Sequence, residues 1–524
     1  MPVPQPAFLA GIVMLMAIGW APPPARSAPG PASSRPCVPL RIDPETTCLT
    51  GPKASDGTID YLAAWNARAG KGIPADGNAG PLILAVCLPP DSPLAAAQAA
   101  AADIQLSQRD PHLKPCAAFK VDPADLAPLG AKPWQAAKHP AVAQWLTANT
   151  PALAALIQAS RREHFFVPLV APGHGGLCQA QVPYLAQLRL AGQALVCRAA
   201  LRLGNGDALG AWSDVLAVSR LGRLLKSAPD MALYEGGVQL EDLGIQGLLM
   251  LARSAAVERA TAVQILRDSL EMSVTPDPHL MLDVGERYRR LDALQAVEQG
   301  GTWRAFLGAL ARVEADGSQQ AAGTDSGPDP ALVPAGELPL AVDLNVLAAA
   351  VNNTLDLVIP VFGQGSYPAG RDVLQALEGS LKDRGQMAQR RLAEPGLAQR
   401  LSQAQGEDRR ALLNGIAKDL FDRRLGGVCL AAYTGAYARR ARLDLARLAL
   451  ALNTYYNDQG EYPPRLDILA PRYLPTLPQD PFTQQPYHYR RHDRGCEVWS
   501  VGPDGGNDQS NATADIEIEL RPPA

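Results

Sequence analysis

Asp504, Asp508 and Asp515 fall in one short loop near the end of the chain, with Asn507 between them. Carboxylates, a side-chain amide and backbone carbonyls are the hard oxygens that calcium takes, six to eight at a time. The same residues equally suit a polar surface loop built of Asx turns. Eight cysteines form the other reactive set: Cys37, Cys48, Cys87, Cys116, Cys178, Cys197, Cys429 and Cys496. None forms a C-x-x-C pair or stands at zinc spacing from a histidine, which argues against a structural zinc. Nucleophile and phosphate motifs are missing: there is no G-x-S-x-G, no H-E-x-x-H and no glycine-rich phosphate loop. Gly173-His174-Gly175-Gly176 has the look of an oxyanion loop but no serine elbow to serve, so it reads as a turn. Arg161-Arg162-Glu163-His164 has acid–base residue types, but neighbours on a helix face different ways, and His112, His139, His279, His488 and His492 stand singly. No catalytic residue is assigned.

The chain has 524 residues, 47% hydrophobic and 19% charged, with a net charge of −4. That is enough for two to four domains with large cores. No basic face points to nucleic acid. Residues 1–27 read as an export signal: Ala7 to Ala21 is an apolar run too short to span a bilayer, and Ala25-Arg26-Ser27 fits a small-x-small cleavage site before Ala28. Leu344 to Phe362 is interrupted by Asn352, Asn353 and Asp356, so no transmembrane span is expected in the mature chain. Export to the periplasm or beyond agrees with an even cysteine count, which favours disulfides among 105 possible connectivities. Neighbour pairing suggests Cys37–Cys48, and Cys429–Cys496 would tie a long helix to a strand.

Residues 28–56 are Pro-, Ser- and Thr-rich and irregular. Residues 57–180 are mixed and mostly helical, with helices expected at Ile59–Ala69, Pro93–Ser107 and Pro151–Arg162, the last capped by Thr150. Residues 181–315 form a helical array, with helices at Pro183–Leu203, Ala208–Lys226, Gly237–Ser254, Thr261–Met272, Asp283–Glu298 and Trp303–Glu314. Gly204-Asn205-Gly206-Asp207 supplies a C-cap and an N-cap within one turn, which makes the flanking pair an antiparallel hairpin. Residues 316–340 are a flexible linker. Residues 341–426 return to helix at Ala341–Leu357, Arg371–Arg384 and Glu407–Arg423. No fixed repeat period appears, so the array is irregular.

Residues 427–524 close the chain with a helix over Val428–Asn457 and a small antiparallel sheet. Tyr437, Ala441, Leu445, Leu448, Leu452 and Tyr455 make an apolar stripe that should cover this sheet. Arg439, Arg440, Arg442, Asp444 and Arg447 occupy the remaining surface and read as a solvated face, with a site for an acidic partner as the alternative. Tyr487–Arg491 and Cys496–Val501 form a hairpin, and Ile516, Ile518 and Leu520 alternate with glutamates as a half-buried strand.

The segment Tyr455-Tyr456 … Glu461-Tyr462-Pro463, Asp480-Pro481, Pro486-Tyr487-His488-Tyr489, Ser500-Val501-Gly502-Pro503-Asp504-Gly505 and Ala514-Asp515-Ile516 resembles the globular half of the major pseudopilin of type II secretion systems. The resemblance implies a tyrosine-rich helix end, a DP…PY…Y strand pair and a loop that often holds calcium. In that family the best-placed acids fall on Asp504 and Asp515, while Thr513 replaces an acid or amide; Asp508 adds a carboxylate. The chain starts Met1-Pro2-Val3-Pro4 with no glutamate before Glu45, which departs from the family's leader and polymerising helix, so a pilus subunit is not expected.

The fold class is therefore mainly α: an irregular antiparallel helical array with a small C-terminal α+β, pseudopilin-like domain. The expected function is a non-enzymatic exported interaction scaffold with a protein partner in the cell envelope, possession of calcium resting on the acidic loop. An envelope hydrolase with a dispersed site, or a helical carrier of a peptide or lipid, is the alternative.

Overall fold

The computed structural model describes residues 37–88, 123–171, 175–273, 278–316, 340–363, 366–394, 396–404, 406–493, 495–505 and 516–521. The signal segment, the helix expected at Pro93–Ser107, Cys116, His174, most of the linker, and Asp508 and Asp515 lie outside them.

In chain order the helices are α1 (Tyr61–Ala69), α2 (Gly80–Cys87), α3 (Pro123–Gly130), α4 (Pro140–Ala148), α5 (Thr150–Ser160), α6 (Leu185–Gly204), α7 (Ala208–Lys226), α8 (Met231–Ala252), α9 (Arg259–Asp268), α10 (Arg287–Gly300) and α11 (Trp303–Asp316). They continue as α12 (Leu344–Val358), α13 (Tyr367–Ala393), α14 (Leu397–Gln403), α15 (Gly406–Asp422) and α16 (Leu425–Gln459). The strands are β1 (His488–His492), β2 (Gly495–Ser500) and β3 (Ile516–Leu520), ordered β1-β2-β3 with both pairings antiparallel. The protein is thus mainly helical with one small sheet at its C-terminal end, as its patterning implies.

Aspartate side chains cap the starts of α1, α7, α8 and α12. Asp207 opens α7 by accepting the Gly210 amide at 2.8 Å, and Asp230 opens α8 by accepting that of Leu233 at 3.0 Å. Each satisfies a donor that the first helical turn leaves without a partner. Thr150 does not cap α5: it lies inside the first turn, and its hydroxyl donates back to the Leu146 carbonyl at 3.3 Å.

Antiparallel α7 and α8 form the centre of the array. Their backbones meet where a Cβ on Gly222 would lie 2.6 Å from the Gly237 carbonyl, and one on Gly237 would lie 2.5 Å from that of Gly222. Only glycine permits this approach. Helix α12 continues to Gly363 and has the length and hydropathy of a membrane span. Its polar residues do not interrupt it; they attach it to its neighbours. Arg287 Nη1 donates to Asn352 Oδ1 at 3.1 Å and Nη2 to Asp356 at 2.7 Å, while Asn352 Nδ2 donates to the Glu45 carbonyl at 2.8 Å.

Helix α16 has 35 residues and is about 52 Å long at 1.5 Å per residue. It ends where Gly460 takes a left-handed conformation (φ 75°) and donates to the Tyr456 carbonyl at 2.8 Å. From Leu443 to Thr454 every residue is buried, polar ones included. One side carries β2 and β3; the other lies against α8, α9 and the turn after α9. Of the expected solvated face, Arg440 and Arg442 are exposed, whereas Asp444 and Arg447 are buried and Arg439 is mostly covered, because the array encloses that side of the helix.

Candidate functional site

The terminal segment is built around Asp480. Its carboxylate is buried and accepts the Phe482 amide at 3.0 Å and the Val501 amide at 3.2 Å, while its own amide donates to the Gln485 carbonyl at 2.8 Å. One side chain thereby fixes the DP turn to the end of β2. Tyr462, of the tyrosine–proline step, lies 2.8 Å from Asn453 Oδ1 and 3.1 Å from the Arg521 carbonyl, joining the helix end to the end of β3.

Beyond Ser500 the chain turns at Gly502 and Gly505, both with positive φ. Asp504 sits between them, and Arg371 of α13 donates to the Pro503 carbonyl at 3.4 Å. Of the expected oxygen-donor set, Asp504 is placed at the mouth of this loop. Asp508 and Asp515 lie outside the described residues. Among the described residues no group of three or more His, Cys, Asp or Glu side chains is arranged to hold a metal. Next to the loop, Tyr367, Tyr433, Tyr437 and Phe482 form a ring cluster, with Tyr367–Phe482 centroids 4.7 Å apart and Tyr433–Tyr437 centroids 5.0 Å apart.

The seam between α16 and the array is polar and buried. Arg447 Nε donates to Ser269 Oγ at 3.0 Å, Nη2 reaches the Ser269 carbonyl, and Nη1 donates to Asp444 Oδ1 at 3.1 Å. Asp444 Oδ2 accepts from the Tyr487 hydroxyl at 3.4 Å, so one ion pair connects array, helix and sheet. Burial pushes the Asp444 carboxyl above its ordinary range, with Arg447 and Arg440 pulling the other way. Burial likewise lowers Arg447, opposed by Asp444. Asn453 Nδ2 donates to the Ala252 carbonyl, the last residue of α8. Farther up the helix, fully buried Lys226 pairs with Glu241 at 2.7 Å, and Arg439 Nε stands 3.9 Å from the same carboxylate.

The expected disulfides are not formed. Cys48, Cys429 and Cys496 carry free thiols, which removes both the Cys37–Cys48 and the Cys429–Cys496 bridge. Cys429 is buried near the start of α16 beside Glu286 and Arg290, whereas Cys496 on β2 lies near Tyr462, at the other end of the helix. About 36 Å of helix separates Cys429 from Asn453, the partner of Tyr462. A disulfide needs Cα atoms within about 7 Å. Burial pushes both thiols up to about 12.

The sheet's outer face is the part of this segment turned from the helix. His488 stacks on Trp499 at 5.2 Å, Arg490 lies over the same ring at 5.8 Å, and Arg490 pairs with Glu497 at 2.6 Å. Gly173 and His174 of the glycine-rich stretch lie outside the described residues; just beyond it, the Cys178 amide donates to Asp292 Oδ2 at 2.9 Å.

An α+β unit of this kind, with a long helix and a pinned DP turn, resembles the globular unit of a pseudopilin. Residues 429–519 match the family model of type II secretion system protein G. The match begins inside α16 and ends within β3, so the resemblance in the sequence and the fold agree for this segment. It attaches the C-terminal part of the chain to a secretion-system, envelope-associated family and to protein–protein interaction within such a system. Neither curated proteins nor solved structures gave a match to the chain.

Proposed function

We propose that this protein is a non-enzymatic, exported scaffold of the cell envelope that holds a pseudopilin-like domain in fixed orientation and offers it to a protein of a secretion apparatus. The observation that carries the reading is the burial of α16 from Leu443 to Thr454 on every side. With β2 and β3 on one side and the array on the other, this stretch of α16 has no face left for another chain. What is left for a partner is the outer sheet face around Trp499 and the loop mouth at Asp504. An aromatic flanked by charges is the composition favoured at recognition surfaces.

On this reading residues 1–27 are removed and the mature protein begins near Ala28, in the periplasm or outside the cell. The acidic loop binds calcium weakly through Asp504, Asp508 and Asp515, in the roughly 10⁻⁴ to 10⁻³ M range of extracellular modules.

The test is site-specific photocrosslinking of the full chain in the intact envelope. A photoreactive residue replaces exposed Glu519 on β3 in one variant and exposed Arg410 on α15 in another. Adducts with a secretion-apparatus protein from position 519 and not from position 410 support the reading. Such adducts from position 410 alone, or from neither, refute it.

A further inference from the structure

A cleft opens where α7, α8, the turn after α9 and α16 converge, with Arg220, Arg223, Glu241, Glu271, Arg439 and Arg440 among its lining side chains. Its apolar floor includes Leu216, Ile245 and Leu443. Most of its lining comes from the array, and Arg439, Arg440 and Leu443 come from the helix of the pseudopilin-like segment, so it exists only because the two are docked.

The charges in it do not balance. Glu271 is engaged by Arg220, whose Nη2 lies 2.7 Å from Oε2. Glu241 is engaged by Lys226 at 2.7 Å, which leaves Arg439 at 3.9 Å in second place. Arg223 reaches only the Glu271 carbonyl, at 3.4 Å. Asp242 faces Arg439 and Arg442, and Asp444 faces Arg440 but is already bonded to Arg447. Among the residues lining the cleft, the guanidinium groups of Arg220, Arg223, Arg439 and Arg440 thus stand against only the carboxylates of Glu241 and Glu271. The side chain of Arg439 is 11% exposed, and its Nη2 is buried without a hydrogen-bond acceptor. A buried guanidinium donor without a partner carries its full desolvation cost, and a planar guanidinium fork matches phosphate and carboxylate oxygens.

We propose that this cleft is a binding site for one small oxyanion group, of the phosphate or carboxylate class, held by Arg439 from α16 and by Arg223 and Arg440 at its rim. The space enclosed is about 40 Å³, room for a single such group rather than a larger ligand, since one water needs on the order of 10–15 Å³. Bound there, the anion joins the array to the terminal segment.

The experiment is isothermal titration of the full chain with inorganic phosphate and, separately, with acetate, at constant ionic strength set with potassium chloride. Saturable binding of either anion at one site per chain is expected, with affinity reduced at least ten-fold in Arg439→Met and several-fold in Arg223→Gln and Arg440→Gln. The difference between the two anions identifies the class. Arg410→Gln, on α15, should bind as the parent does. If Arg439→Met does not fold, the two rim variants decide alone. Lack of saturable binding by both anions, or affinity unchanged in the folded cleft variants, overturns the assignment.

Discussion

Replacing Arg447 with Met keeps most of its volume but removes the charge that compensates Asp444. Asp444 and Arg447 side chains are each 8% exposed, so the orphaned carboxylate stays inside. Breaking a buried pair by removing one partner costs about 3–5 kcal/mol, which corresponds to a roughly 10²- to 10³·⁵-fold increase in the opening of this region. The cost depends on pH. Burial already raises the Asp444 pKa above its ordinary value of 3.8, and losing Arg447 raises it further. Between 3.8 and that raised value the folded variant holds a proton that the unfolded chain has released. Native binding exceeds unfolded binding there, so stability falls as pH rises through the window. The deficit is complete above the raised pKa and shrinks as pH is lowered into the window. Changing Asp444 to Leu in the same chain should restore most of the loss, because an apolar pair can replace a buried ion pair at little cost. It should leave roughly 1–3 kcal/mol for the stranded Tyr487 hydroxyl or Ser269 carbonyl. The assay is native-state hydrogen exchange over residues 443–454, corrected for intrinsic rates, at pH 5 and pH 8. A deficit below about 1 kcal/mol, an equal deficit at both pH values, or a double variant no better than the single one would refute the reasoning, since each contradicts an uncompensated buried charge.

Three further outcomes follow from the same geometry. With both thiols pushed up to about 12, only about 10⁻⁴ of each is thiolate at pH 8, so Cys429 and Cys496 should resist alkylation in the native protein and label fully in denaturant; a non-reducing peptide map linking them would contradict the structure. Asp207→Ala should destabilise the start of α7 by about 1 kcal/mol, read as faster exchange in the first turn, and unchanged exchange there would show that the cap carries no weight. Calcium at several millimolar should raise the melting temperature of the full chain by mass action, with magnesium less effective and Asp504→Asn/Asp515→Asn insensitive; an unchanged wild-type melt removes the metal from the loop.

Where signals are local, the sequence is easily read. Helix α7 runs from Ala208 to Lys226, as expected, because Asp207 and the adjacent glycines mark the turn before it. Helix α8 is expected from Gly237 but starts at Met231. The pair Gly236-Gly237 looks like a break on propensity, yet it is where α8 meets its neighbours: the Gly237 backbone lies against that of Gly222 and Gly236 against Leu185. Close packing outweighs the intrinsic cost of glycine in a helix. Helix α13 similarly outruns its expected Arg371–Arg384 span, reaching from Tyr367 to Ala393. The terminal segment is legible through its turn residues. Its docking is not, because Arg447 and Ser269 are 178 positions apart and their bond has no periodic signature. An arginine on a helix looks the same in sequence whether water or a buried carbonyl receives it.

That ambiguity bears on what the protein is for. A sheet on one side of α16 needs only the apolar stripe that the sequence displays. The array on the other side is joined through Arg447, Asn453 and the charges around Glu241. Buried ion pairs add little net stability over apolar contacts, and their best-supported role is to fix one register among alternatives. Apolar surface alone would allow α16 to slide or rotate against the array; Arg447, which must meet Ser269 after α9, and Asn453, which must meet the Ala252 carbonyl at the end of α8, do not. The terminal sheet is therefore held at one angle to the array, and its outer face around Trp499 and the loop mouth at Asp504 point in a fixed direction. A fixed direction is of little use to a flexible tether but suits a part that must meet a partner already built into an assembly, since preorganised surfaces lose less entropy on binding.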